Sequence, residues 1–140
     1  RGVNDLHFSS DGTLLVTEAK GGTVATVRDG QVRRIVTGLK SPEGLALLPD
    51  GRILVAEAGA GRLIAVDATG KRKPLALATD LPIGLLPQSS MPMPFLPTGV
   101  AVSGDAIYFS SDVDRTIYRL KANGTSDARN GIAPACNITQ

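Results

Sequence analysis

Three stretches of the 140-residue chain are versions of one another. They occupy residues 2–18, 41–57 and 97–112, and the third has a turn that is one residue shorter. Matching positions lie 39 residues apart between the first two stretches, as for Leu6 and Leu45. A repeat of about forty residues that holds several short strands is typical of propeller blades and of solenoid arrays. The repeat therefore restricts the chain to a few all-β architectures.

Each repeat predicts an antiparallel meander of short strands. In the second repeat, apolar runs at 45–48 and 53–56 flank the turn at 49–51, in which Pro presets φ and Gly accepts a positive φ. Further strands are expected at 62–66 and around 74–78. These runs are rich in aliphatic and β-branched residues, which favours strands. No window shows the apolar periodicity of a helix.

The repeat resembles the NHL-type repeat and the related blades of SMP-30/gluconolactonase and strictosidine-synthase-like proteins. The strings that carry the resemblance are SPEGLA at 41–46, PTGVAV at 97–102, IYFSSD at 107–112 and RTIYRL at 115–120. The resemblance covers roughly residues 2–121 and implies a six-bladed β-propeller built from four-stranded antiparallel blades. Lactonases, lyases and binding modules share this repeat, so it indicates an architecture more than an activity. The residues alone leave a β-solenoid or an open β array as the alternative.

The predicted division gives blade 1 at 2–40, blade 2 at 41–81, a loop rich in Pro and Met at 82–96, part of blade 3 at 97–121, and a tail or the start of a further strand at 122–140. A propeller closes with about 4 to 8 blades, and three blades are half of a six-bladed ring. The outermost sheets would each keep a bare apolar face, which is an interface or an aggregation site. We therefore expect either a homodimer that completes the ring or a missing part of the same polypeptide.

Polar residues gather at one end of the predicted blades. Antiparallel pairing puts the start of each first strand beside the end of each second strand. The residues at this end are Asn4, Glu43 and Thr98 from first strands, and Glu18, Glu57 and Ser111 or Asp112 from second strands. Carboxylate and amide oxygens suit a hard cation such as Ca²⁺, which takes 6 to 8 oxygen ligands. The resemblance implies Asn4 and Glu43 as metal ligands, and Glu18 is a third candidate.

The resemblance implies a divalent-metal-dependent lactonase or ester hydrolase that acts at the channel mouth, with Glu57, Asp112 or His7 as the candidate base. The alternative is a non-catalytic propeller that binds a ligand or a protein partner, or serves as an assembly module. On that alternative, the glutamates end strands and pair with Arg62 or Lys20, and His7 is a packed strand residue. The chain has no nucleophile elbow, no glycine-rich phosphate loop and no HExxH helix.

The segment around 81–97 accounts for 16 residues that the other repeat spacing lacks, and its five prolines predict a loop. Its apolar residues Met91, Met93 and Phe95 leave three roles open. In the first role, the loop covers the channel mouth and contacts an apolar ligand. In the second it packs on a neighbouring chain, and in the third it covers blade edges.

Composition excludes several other classes of function. The net charge is +2, the basic residues are scattered and only 4% of residues are aromatic, which argues against a nucleic-acid surface. No apolar run approaches the roughly 20 residues of a membrane span. One cysteine, Cys136, and one histidine give little support for a Cys/His zinc site. Triplets beginning at Asn123 and Asn137 match the glycosylation pattern and favour a secreted or periplasmic protein.

Overall fold

The computed structural model describes residues 2–84, 98–111 and 113–121, together with the backbone of 133–137. These residues form three four-stranded antiparallel sheets in which each strand pairs with its neighbours in sequence. The all-β fold and the meander of each repeat are therefore confirmed. No helix in the described ranges is long and apolar enough to cross a membrane.

The three sheets are called blades 1, 2 and 3 in chain order. Blade 1 contains β1 (Val3–Phe8), β2 (Leu14–Glu18), β3 (Thr23–Arg28) and β4 (Gln31–Val36). Blade 2 contains β5 (Pro42–Leu47), β6 (Ile53–Glu57), β7 (Arg62–Val66) and β8 (Leu75–Ala78), with one 3-10 turn at Ala58–Ala60 after β6. Blade 3 contains β9 (Val100–Ser103), β10 (Ala106–Ser111), β11 (Thr116–Lys121) and β12 (Ala133–Asn137). Strand β12, which pairs with β11, lies within the segment that the sequence left as a tail or a further strand.

The hairpin turns of blades 1 and 2 show how the repeat is built locally. Gly12 and Gly51 occupy matching positions, with φ of +82° and +84°. Each donates its N–H to the carbonyl three residues earlier, on Ser9 and Leu48. Glycine adopts this left-handed conformation without a steric penalty, so the repeated Asp-Gly pair fixes the same turn in both blades.

The blades stack face to face, and their apolar side chains form two clusters. Leu15 and Val24 of blade 1 pack against Leu45, Ile53 and other residues of blade 2. On the opposite face of blade 2, the second cluster joins it to blade 3 and includes Leu54, Leu63, Ala65, Ile107 and Phe109. The first strands β1, β5 and β9 lie side by side in that order. Burial of both faces of blade 2 therefore holds the three sheets together.

Blade 1 has a face that no described residue covers. Leu6, Phe8 and Val32 are each more than half exposed. Leu6 pairs with Val16 across the strands. A second row of paired residues runs across all four strands, from Phe8 through Leu14 and Val27 to Val32. Residues that face each other across antiparallel strands share one side of the sheet. The apolar surface that the sequence predicted for an outermost blade is thus present on the side of blade 1 that faces away from blade 2.

Candidate functional site at the glutamate end of the blades

The first strands of the three blades begin at one end of the structure, which we call the glutamate end. Asn4 and Glu43 lie at the starts of β1 and β5, Thr98 lies two residues before β9, and Glu18, Glu57 and Ser111 end the neighbouring second strands. In blades 1 and 2 the strand register shifts at Asn4 and at Glu43. A bulge redirects side chains and often occurs beside functional sites. Both predicted metal ligands, Asn4 and Glu43, therefore lie at a bulge in the first strand of their blade.

Glu43 is 4% exposed and connects blade 2 to blade 3. Its Oε2 accepts a hydrogen bond from the backbone N–H of Thr98 at 2.6 Å. The next residue, Gly44, donates its N–H to the Thr98 carbonyl at 3.0 Å. A Cβ at Gly44 would lie 2.3 Å from that oxygen, so the glycine of the repeat permits the two strands to approach. Glu43 is thus a structural contact between blades.

A separate pair of contacts connects blade 1 to blade 2. The Thr17 hydroxyl donates to the Glu43 carbonyl at 2.6 Å and accepts from the Asp5 N–H at 3.2 Å. The Asp5 carboxylate in turn accepts from the Leu45 N–H at 2.9 Å. The sequence pattern did not indicate this role for Thr17 or Asp5. The sequence did mark Asp5 as unusual, because it replaces the glycine that the other two repeats have at this position.

Glu57 is 2% exposed and holds the segment that leads into blade 2. Its Oε1 accepts from the Lys40 N–H at 2.9 Å, and its Oε2 forms an ion pair with Arg62 Nε at 2.5 Å. The ion pair with Arg62 is one of the pairings expected if the glutamates are structural, but its carboxylate is buried. Ser111, at the matching position of blade 3, donates its hydroxyl to the Pro82 carbonyl at 2.5 Å. Both second-strand ends thus hold the linker that enters their own blade.

Glu18 makes different contacts from Glu57. Its Oε2 accepts a hydrogen bond from the Thr23 hydroxyl and lies 3.4 Å from Arg34 Nε. Arg34, which the sequence did not indicate, is therefore a basic partner of Glu18. The Glu18 side chain is 14% exposed and that of Glu57 is 2% exposed, so solvent screens the ion pair of Glu18 more than that of Glu57.

Two other predicted site residues, Asn4 and His7, lie in the part of the chain that the structure describes. Asn4 is exposed at the start of β1. His7 is also exposed, faces Leu15 across the sheet, and forms no hydrogen bond with a described carboxylate. The other predicted site residues lie outside the described residues; they are Asp112, Met91, Met93 and Phe95.

The described residues do not by themselves fit a Ca²⁺ site. Among them, no three His, Cys, Asp or Glu residues lie in a group that could hold a metal ion. Glu43 and Glu57 accept backbone N–H groups, and Arg62 pairs with Glu57. A guanidinium at that position repels a cation and competes with it for the carboxylate oxygens. Glu43 and Glu57 therefore act as hydrogen-bond acceptors that fix the backbone.

No protein-family model matches the chain, and no curated protein sequence matches it significantly. Solved structures do match its fold. A catalytically inactive virginiamycin B lyase from Staphylococcus aureus, determined with quinupristin, superposes with a TM-score of 0.70 at 17% identity, over 99% of this chain and 42% of that one. Regucalcin from Agrobacterium tumefaciens, a calcium-binding protein, gives a TM-score of 0.67 at 19% identity, over 94% of this chain and 44% of that one.

A gluconolactonase from Xanthomonas campestris is similar to the same extent. Its TM-score is 0.66 at 18% identity, and the alignment covers 96% of this chain and 47% of that one. The fold is therefore that of the propellers to which lactonases, regucalcin and virginiamycin B lyases belong. The chain spans less than half the length of each of these three structures.

Proposed function

We propose that this chain is part of a small-molecule-binding propeller whose binding site lies at the glutamate end and is completed by further blades. The observation that carries the proposal is the burial of two carboxylates, Glu43 and Glu57, at the end where the first strands begin. A buried carboxylate is costly unless it is hydrogen-bonded. Here each one fixes a backbone segment, which is how a binding site is held rigid before its ligand arrives.

The solved structures that match the fold suggest the class of ligand. The Xanthomonas protein is a gluconolactonase, so a lactone is the first ligand to test. At the glutamate end, Asn4 contributes an exposed amide, which both donates and accepts hydrogen bonds. An uncharged cyclic ester can pair with such a group without the loss of an ionic hydration shell.

A second candidate is a divalent-metal-dependent lactonase or ester hydrolase. The likeness to the gluconolactonase and to the calcium-binding regucalcin favours it. On this candidate, Asn4 and Glu43 are metal ligands and Glu57, Asp112 or His7 is the base. Such a site needs further oxygen ligands from residues outside the described part of the chain, because the described glutamates are already hydrogen-bonded.

Thermal unfolding with and without a lactone tests the binding proposal. Binding to the folded state alone raises the free energy of unfolding by about 2.7 kcal/mol at 100 times the dissociation constant. We expect gluconolactone to raise the melting temperature equally with and without EDTA. Asn4→Ala should reduce this effect. The matched control Gln31→Ala, exposed at the start of β4 in the outermost strand of the same blade, should leave it unchanged.

Two results would separate the candidates. Hydrolysis of the lactone that requires added Ca²⁺, Mg²⁺ or Mn²⁺ and stops with EDTA would replace the binding proposal by the hydrolase. Absence of any lactone effect on the melting temperature, together with an Asn4→Ala variant indistinguishable from the native chain, would reject a lactone site at the glutamate end.

A further inference from the structure

Blades 1 and 2 enclose a cleft at the end of the molecule opposite the glutamate end. The hairpin turns at 9–13, 29–30 and 48–52 lie at that end, because antiparallel strands reverse the chain there. The cleft has a volume of about 570 Å³, which is within the range of small-molecule sites. Both of its walls belong to described blades, so the cleft does not depend on what covers the outer faces of blades 1 and 3.

The wall that blade 1 contributes is polar. Leu15, Thr26 and Arg33 face one another across β2, β3 and β4, so their side chains share one side of the sheet. Leu15 packs against blade 2, which identifies this side as the one that faces blade 2. Thr13 and Arg28 lie two residues further toward the turns on the same side. All five residues line the cleft, so this wall presents two hydroxyls and two guanidinium groups.

The wall that blade 2 contributes is mostly apolar. Leu47 and Ile53 pair across β5 and β6, and Ala68 follows β7 in the next turn. Ile53 is buried at the base of the cleft, whereas Leu47 is half-buried and Ala68 is exposed. A ligand in the cleft therefore contacts apolar side chains of blade 2 and polar groups of blade 1.

The polar wall is a property of blade 1 and not of the repeat. Matching positions of the first two blades lie 39 residues apart, so Ala65 of blade 2 corresponds to Thr26. Ala65 pairs with Leu75 as Thr26 pairs with Arg33. Blade 2 therefore has an alanine and a leucine where blade 1 has a threonine and an arginine. The architecture alone does not account for a guanidinium at this position.

The charges of the cleft leave one guanidinium without an anionic partner among the residues that the structure describes. Arg28 Nη1 pairs with Asp11 Oδ2 at 3.1 Å. Arg33 Nη2 instead donates to the carbonyls of Ala68 and Thr69, at 3.3 and 3.0 Å. These carbonyls hold the guanidinium between the two blades but do not neutralise its charge. The lining of the cleft therefore carries one net positive charge.

We propose that this cleft binds a small monocarboxylate whose body is apolar. A guanidinium has five N–H groups, so Arg33 keeps donors for the carboxylate beyond those that contact Ala68 and Thr69. The apolar body packs on Leu47 and Ala68. One net positive charge matches a monoanion, whereas a dianion would be repelled more strongly by the Asp11 carboxylate. The site lies apart from the glutamate end and does not rest on the proposed function.

Titration of the isotope-labelled full chain with sodium hexanoate, followed by the chemical shifts of backbone amides, tests the inference. We expect the amide signals of Thr26 and Ala68 to move, while those of Glu43 and Glu57 stay in place. Hexanamide has the same apolar chain without the charge, and acetate has the charge without the chain. Each should bind about tenfold more weakly than hexanoate or worse, because each lacks one half of the contact.

Three variants test the charges of the cleft. Arg33→Gln should raise the dissociation constant for hexanoate about tenfold, because it removes charge-assisted hydrogen bonds. Arg34→Gln is the matched control: Arg34 pairs with Ala25 and so lies on the other side of the same sheet, and its variant should bind hexanoate as the native chain does. Asp11→Asn should lower the dissociation constant, since it removes the anion that pairs with Arg28. Circular dichroism checks that all three variants are folded.

Hexanoate that leaves the Thr26 and Ala68 signals in place would overturn the inference, as would hexanamide or acetate that binds equally tightly. Equal weakening by Arg33→Gln and Arg34→Gln would also overturn it, because it would indicate a response to net charge and not to this cleft. Gluconolactone that moves the Glu43 and Glu57 signals would support the proposed function whether or not hexanoate binds, so the two failures are distinguishable.

Discussion

Blades 1 and 2 have nearly the same sequence pattern but very different surroundings. β5 and β6 are almost wholly buried, whereas five of the six residues of β1 are exposed. Leu6 and Leu45 occupy the same place in the repeat and differ in exposure by more than half of the side chain's surface. The repeat thus specifies which residues point out of each sheet face, and the neighbouring blade decides whether they are in water.

The largest effect should come from truncating the buried member of this pair. Leu45→Ala removes a side chain packed between blades 1 and 2 and should lower the free energy of unfolding by about 2–5 kcal/mol. Leu6→Ala should cost less than about 1 kcal/mol, because its side chain is already largely hydrated. Urea unfolding at low protein concentration measures both. Equal costs would show that the two blades are equally covered.

The next largest difference in stability should be between variants of Glu57 and Glu18, which occupy matching positions of the repeat. Glu57→Gln removes the charge from a buried acceptor of Arg62 and of the Lys40 N–H, and should cost about 2 kcal/mol. Glu18→Gln weakens a partly exposed ion pair with Arg34 and should cost at most about 1 kcal/mol. Both variants keep the size of the side chain, so denaturant unfolding compares the combined loss of the charge and of one acceptor oxygen at the two positions. A larger cost for Glu18→Gln would contradict the structural role assigned to Glu57.

A smaller difference in stability should separate variants of Thr17, whose hydroxyl joins blades 1 and 2, from variants of Ser110. Thr17→Val keeps the shape of a fully buried side chain but leaves the Glu43 carbonyl and the Asp5 N–H without this partner. It should cost about 1–2 kcal/mol. Among the described residues, Ser110→Ala loses only the contact with the Gly99 N–H and should cost less. If unfolding measurements show the reverse order, Ser110 does more within blade 3 than Thr17 does between blades 1 and 2.

The smallest effect concerns the matching turn aspartates, Asp11 and Asp50. The hydrogen bond from the Ser9 hydroxyl lowers the pKa of Asp11 from 3.8 to about 2, and the side chain of Arg52 lowers the pKa of Asp50. A carboxyl whose pKa is lower in the folded state stabilises above its unfolded pKa and loses that contribution as pH falls. The contribution of Asp11 should therefore decline between about pH 4 and pH 2.

Unfolding of Asp11→Asn and Asp50→Asn across this pH range measures the contribution of each turn. Each variant should show a flatter pH dependence than the native chain, by a small amount because both side chains are exposed. An unchanged slope in Asp11→Asn would mean that its turn does not depend on the ionised carboxylate.

Local chemistry made much of the fold predictable. Strands β6 and β7 lie within about one residue of their predicted bounds, because β-branched runs and glycine-containing turns act through neighbours in sequence. The Arg62 partner of Glu57 was also predictable, since the two residues face each other on adjacent strands. The Arg34 partner of Glu18 was not, because it depends on the register of an outer strand.

The sequence by itself determined the repeat, the hairpin turns and the inward and outward alternation of each strand, since these follow from backbone conformation and apolar spacing. Only the tertiary structure decided the role of the polar end. Glu43 was a candidate metal ligand in sequence, yet its carboxylate accepts a hydrogen bond from Thr98, 55 residues away. A carboxylate can accept a hydrogen bond or bind a cation. Which of these it does depends on the groups that the packing of whole blades places beside it.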